Sequence, residues 1–73
     1  MGLQKIFDNL INYEFVEGDQ VKVNNTNWFG RVEKGLFGNR YEVVLQTKVY
    51  ESPTNYKIVD LPIVKTFREN ELH

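Results

Sequence analysis

Trp28 and Phe29 stand side by side behind the polar run Asn24-Asn25-Thr26-Asn27, and Tyr50 and Tyr56 flank the turn-forming cluster Ser52-Pro53-Thr54-Asn55. Side chains of this kind do recognition chemistry, because each offers a wide rigid apolar surface at little entropic cost, and Trp and Tyr dominate the hot spots of protein interfaces. Successive strand residues point to opposite faces, so at most one of Trp28 and Phe29 can enter a core if they lie on a regular strand. The other is left to contact a partner, with Tyr50 and Tyr56 extending the surface, unless an N-terminal helix or a second copy of the chain covers it. Arg31, Lys34 and Arg40 lie in the same stretch and form a candidate basic patch, with Glu33 and Glu42 interleaved.

The residue types that carry catalysis are scarce. His73 is the only histidine and the last residue, where neither its orientation nor a partner is expected to be fixed. There is no cysteine to act as nucleophile or thiolate ligand. Ser52 has no histidine near it in sequence, so a hydroxyl activated by a base is not indicated. Glu69 and Glu71 flank Asn70 without the run of oxygen ligands that a divalent cation needs, and they read as solvated positions of a turn. Gly35 and Gly38 are not followed by the Gly-Lys-Ser/Thr of a phosphate loop. The sequence therefore names no catalytic residue, no metal ligand and no cofactor, and the chain is not expected to be an enzyme.

These residues must be positioned by a very small fold. A chain of 73 residues buries only about 60% of its unfolded surface, so its stability margin is thin. No disulfide can help, and the core must come from the 41% of residues that are hydrophobic, ten aromatics among them. That content argues against disorder. Nine basic residues against ten acidic ones give a formal charge of -1, which disfavours a chain that lives on nucleic acid, where phosphate neutralisation supplies most of the affinity. No apolar run approaches the roughly 18 residues of a membrane span. No basic region leads into an apolar stretch at the start of the chain, so a cytoplasmic location without membrane attachment is expected.

Leu3, Ile6, Phe7, Leu10 and Ile11 recur with the period of an amphipathic helix, and the spacing predicts one over about residues 3–12. A helix this short is marginal alone, so it needs a surface to dock on, either the rest of the chain or a partner through which the protein self-associates. From Phe15 onward the period changes to two. Val21 and Val23 alternate with polar residues; residues 28–34 read as a second strand, with Gly30 where a side chain would crowd a bend or a neighbouring strand; residues 40–48 are the clearest strand, with Tyr41, Val43 and Leu45 on one face. Residues 56–59 read as a fourth strand, broken by Asp60-Leu61-Pro62 because proline cannot donate to a ladder, and residues 63–67 as a fifth. Arg68 to Leu72 reads as a polar closing turn, with Phe67 and Leu72 directed to the core. The expected core is Val21, Val23, Val32, Tyr41, Val43, Leu45, Ile58, Ile63, Phe67 and Leu72, covered by the apolar face of the helix.

The segments Gly18-Asp19-Gln20-Val21-Lys22-Val23, Gly30-Arg31-Val32, Tyr41-Glu42-Val43 and Thr66-Phe67-Arg68-Glu69-Asn70-Glu71-Leu72 together resemble the SH3-like barrels of the KOW, Tudor and ferredoxin-complex type, over about residues 17–72. Similar modules occur among small proteins of phages and mobile elements. The resemblance implies a mainly β fold, a five-stranded antiparallel SH3-like barrel over residues 15–73; the amphipathic helix, expected within residues 1–14 from its periodicity, precedes it and lies outside the barrel pattern. It implies a non-catalytic protein–protein interaction module, of a regulatory or accessory kind. Two other functions follow from the same resemblance. One is a KOW-like module that binds nucleic acid, with Arg31 and Arg40 on phosphates and Trp28, Phe29 or Tyr56 stacked on bases. The other is an accessory subunit of a ferredoxin-linked enzyme complex.

Overall fold

Alternation of β-branched or aromatic residues with polar ones dictates the architecture of residues 13–73, which the computed structural model describes. Four strands form: β1 (Gln20–Lys22), β2 (Phe29–Leu36), β3 (Arg40–Ser52) and β4 (Asn55–Arg68). They pair antiparallel in the order β1-β2-β3-β4. A short 3₁₀ turn, Glu69–Glu71, follows β4, and the Arg68 N–H donates to Glu71 Oε1 at 2.7 Å. The tight connections fall where the backbone chemistry allows them. Between β2 and β3, Gly38 and Asn39 both take positive φ, at 82° and 55°, a region open to glycine and tolerated by asparagine. Between β3 and β4, Ser52 pairs with Asn55 across Pro53-Thr54.

One face of this sheet makes the core: Val21, Val23, Val32, Tyr41, Val43, Leu45, Phe67 and Leu72 are buried together, with Phe15 and Leu61 packed against them. Gly30 is fixed by sterics, since a Cβ there would lie 2.2 Å from the Val44 carbonyl oxygen. The neighbouring strand can close in only because that side chain is missing.

The expected five-stranded barrel does not form. Hydrogen-bonded ladders join four strands in one open sheet. The segments expected as fourth and fifth strands are a single strand, because Pro62 falls inside a register irregularity. Val44 pairs with Val64 and Gln46 with Asp60, so Leu45 alone spans Leu61, Pro62 and Ile63. A residue without an N–H is tolerated where the ladder is already interrupted. After β4 the chain makes one isolated bridge, Leu72 to Val23, instead of a further strand. The helix expected over residues 3–12 lies outside the described residues. Tyr13 and Glu14, assigned with it, are not helical and bond to the sheet: the Tyr13 hydroxyl donates to Leu36 O at 3.3 Å and the Glu14 N–H to the Tyr41 hydroxyl at 2.9 Å.

Two expected core residues sit at the surface. Ile58 is 39% exposed and Ile63 41%. Ile58 lies opposite Lys48, beyond the part of β3 that β2 covers, and Ile63 lies in the irregularity around Pro62. Val44 is buried although it alternates out of phase with the core, because it occupies an inner strand between Arg31 and Val64. Among the described residues no helix is long and apolar enough to cross a membrane.

Candidate functional site

The polar run before β2 becomes a loop braced by its own side chains. The Val23 N–H donates to Trp28 O at 3.0 Å. The Thr26 hydroxyl donates to Val23 O at 2.8 Å and accepts the Trp28 N–H at 2.9 Å. Asn25 takes the left-handed φ of 64° that the bend requires, a conformation its short polar side chain tolerates. These bonds hold Trp28 at the mouth of β2 with 49% of its surface exposed. Phe29, the next residue, is partly buried and pairs with Lys22 on one side and Gln46 on the other. Neither of the two adjacent aromatics belongs to the core.

The loop is braced again from residues 70–73. The Asn24 N–H donates to Glu71 O at 2.8 Å and the Asn24 side-chain amide to Asn70 O at 2.9 Å. His73 is not frayed: its N–H donates to Lys22 O at 2.9 Å, its carbonyl accepts the Lys22 N–H at 2.8 Å, and its ring bonds the Asn24 side-chain oxygen. Nothing in the sequence signals this anchoring, because it joins residues far apart in the chain.

The far wall comes from the β3–β4 hairpin. Tyr56 is 45% exposed, with Lys48 Nζ lying 4.6 Å above its ring centroid and the Tyr50 ring edge-on at 5.4 Å. Lys65 Nζ lies 6.0 Å above the Trp28 ring. Between loop and hairpin runs a solvent-open groove of about 850 Å³, lined by Lys22, Trp28, Phe29, Lys48, Tyr56 and Ile58 together with Gln20, Val23, residues 25–27 and His73. Of the aromatics expected to meet a partner, Trp28, Phe29 and Tyr56 therefore share one groove. Tyr50 supports Tyr56 from the side without lining it.

The three cations expected to form a basic patch are not gathered. Arg31 is committed to carboxylates, with Nη2 2.7 Å from Asp60 Oδ2 and Nη1 3.1 Å from Glu33 Oε1. Asp60 also accepts the Gln46 amide at 2.9 Å, and Gln46 in turn accepts the Gln20 amide at 3.0 Å. Hydrogen bonding to Asp60 holds the Arg31 guanidinium above its usual range, and the Arg31 hydrogen bond, then that of Gln46, holds the Asp60 carboxyl below its own. Arg40 turns back to donate to Phe37 O at 3.1 Å, and Lys34 lies opposite Glu42. The cations that do face the groove are Lys22 and Lys48, which sequence reasoning missed. A signal was present for the second: a hairpin folded about Pro53-Thr54 sets Tyr50 opposite Tyr56 and Lys48 opposite Ile58.

Among the described residues the groove lining holds one imidazole and no Asp or Glu side chain to pair with it. It can offer ring faces, aliphatic surface, ammonium groups and side-chain amides to a ligand. Compared with protein-family models, with curated proteins and with solved structures, the chain matches none, so the reading of its function rests on this groove.

Proposed function

We propose that the chain is a small non-catalytic protein–protein interaction module whose partner docks in the groove between the 24–27 loop and the β3–β4 hairpin. The observation that carries this reading is that Trp28 and Tyr56, each about half exposed, are held on opposite walls of one groove by hydrogen bonds and ring contacts of their own. Exposed aromatics on a fixed scaffold are the usual anchors of an interface, and their cost in water is recovered when a partner covers them.

The test is selection of a random displayed peptide library on the folded full-length chain, followed by binding of the enriched clones to Trp28→Ala and Tyr56→Ala. Both side chains lie outside the core, so Trp28→Ala is expected to melt near the parent, and Tyr56→Ala, which also removes the hairpin's ring pair, is compared per folded molecule. Peptide affinity is expected to drop by more than about tenfold in each variant, the scale of an interface anchor. Clones that bind both variants as they bind the parent would sink the assignment. So would a library that enriches nothing, or a loss of binding that only tracks a loss of folded protein.

A further inference from the structure

We infer that the partner presents to this groove an extended acidic peptide segment, with an apolar side chain bedded on Phe29 and Ile58 and carboxylates reaching Lys22 and Lys48. The inference rests on the groove being a protein-docking site, and it adds the chemistry of what docks.

Charge is the first argument. The chain carries a formal net charge of -1, yet among the described residues the groove is lined by Lys22, Lys48 and His73 and by no Asp or Glu. The nearby acid Asp60 is held by Arg31 at 2.7 Å and by Gln46 at 2.9 Å. An acidic segment entering the groove therefore meets two lysines and no Asp or Glu side chain. Electrostatic complementarity of this kind selects partners and speeds their encounter.

The state of the lysines is the second. Both ion pairs found among the described residues belong to Arg31. Lys48 instead rests its ammonium over the Tyr56 ring and Lys65 over the Trp28 ring. Such contacts are weak at exposed sites, roughly 0.5–1 kcal/mol, and they position the charge without consuming it. A carboxylate can take a charge-assisted hydrogen bond from Lys48 with no internal salt bridge to break.

The same contacts argue against a single-stranded nucleic acid. A base stacking on the ring face that Lys48 or Lys65 covers displaces that lysine, whereas a peptide carboxylate uses it where it stands. The groove also carries too few cations to neutralise a run of phosphates. Its exposed Ile58 and the ring of Phe29 suit an apolar peptide side chain, and the side-chain amides of Asn25 and Asn27 suit the hydrogen-bonding groups of an extended backbone.

Trp28 is the only tryptophan, so its emission reports the groove directly. Four probes of about twelve units would be titrated into the full-length chain at low ionic strength, where about one Debye length reaches across the site. They are a peptide alternating Glu with Leu, the same peptide with Gln for Glu, the same with Lys for Glu, and oligothymidylate. Only the Glu peptide is expected to shift Trp28 emission saturably. Its affinity is expected to fall about tenfold on raising salt several-fold, and by at least about tenfold in the double variant Lys22→Glu, Lys48→Glu. Both lysines are exposed, but Lys48 also leaves the Tyr56 ring in that variant, so its affinity is taken per folded molecule. Equal binding by the Gln or Lys peptide would overturn the acidic assignment while leaving the groove as a peptide site. Tighter binding by oligothymidylate would overturn it in favour of nucleic acid. Binding that ignores the double charge reversal, or no response to the Glu peptide, would overturn it as well.

Discussion

Tyr41 shows how much of this small fold can depend on one hydroxyl. Its ring is fully buried in the core, and the rings of Tyr13 and Phe15 stand edge-on to it at 5.8 and 5.4 Å. The hydroxyl donates to Glu69 Oε1 at 2.6 Å and accepts the N–H groups of Glu14 and Phe15 at 2.9 and 3.3 Å. One side chain thus ties the segment entering the sheet, the inner strand β3 and the 3₁₀ turn. Burial, then the bond to Glu69, pushes the phenol above its ordinary range of about 10. A group whose folded value is raised above its unfolded one stabilises fully below the unfolded value and loses that contribution as pH climbs through the folded one. The parent should therefore lose stability in the alkaline range above about pH 10 through this group, and Tyr41→Phe should lack that limb. At neutral pH the same substitution leaves the Phe15 N–H short of a partner, while the Glu14 N–H keeps Glu69 Oε1 at 3.1 Å, and it should cost about 1–2 kcal/mol. Urea denaturation at neutral and alkaline pH measures both effects. Parallel stability profiles for parent and variant would show that the hydroxyl is not the group that titrates.

The β3–β4 hairpin is the element that gives the groove its far wall, and it is built unevenly. Its strands have 13 and 14 residues, a length of roughly 45 Å at the rise of an extended chain. β2 pairs with β3 only as far as Gln46, so beyond that point the hairpin is a two-stranded ribbon. Such ribbons are marginal alone, and this one leans on the Tyr50–Tyr56 ring pair and on Lys48 over Tyr56. Native-state amide hydrogen exchange should therefore be much faster at hydrogen-bonded amides of residues 47–58 than at 41–45, with the Glu–Leu peptide slowing the former. Equal protection along both strands would contradict a ribbon that opens on its own. The pattern of success in reading the sequence follows the same division. Tyr41, Val43 and Leu45 were legible as core because they recur with period two along one strand, whereas Val44 between them is buried only by its place between β2 and β4. Pro62 misled, since a proline marks either a strand end or an interruption within a strand, and only the pairing partner decides between them. Ile58 looked like core because its type is apolar, but its burial depends on where β2 stops. Trp28, Phe29 and Tyr56, singled out from their types and positions, line one groove. Lys22 and His73 were not singled out, because what brings them to the groove is pairing between residue 22 and residue 73.

At the scale of the whole molecule, that pairing joins the stability of the fold to the shape of the groove. β1 has only three residues, with β2 on one side of it. On its other side residues 71–73 supply the hydrogen bonds that no further strand provides: Lys22 and His73 exchange bonds of 2.8 and 2.9 Å, and Asn24 reaches Glu71 O. Leu72 anchors this strap, buried in the core and bridged to Val23. Val23 in turn accepts the Thr26 hydroxyl that fixes Trp28. Loosening Leu72 should act in two places. Truncation of a buried leucine to alanine costs about 2–5 kcal/mol, a large share of what a domain of this size has to lose. The strap should also release the loop, so Leu72→Ala should change Trp28 emission in the native baseline before unfolding begins and weaken Glu–Leu peptide binding per folded molecule. Ile63→Ala is the control, because its half-exposed side chain lies in the irregularity of β4, and it should lower melting only slightly and leave Trp28 unmoved. The decisive comparison is peptide affinity, corrected for the folded fraction, in the two variants. If Leu72→Ala melts earlier yet binds as tightly per folded molecule as Ile63→Ala, the loop holds Trp28 by its own hydrogen bonds and the strap contributes to stability alone.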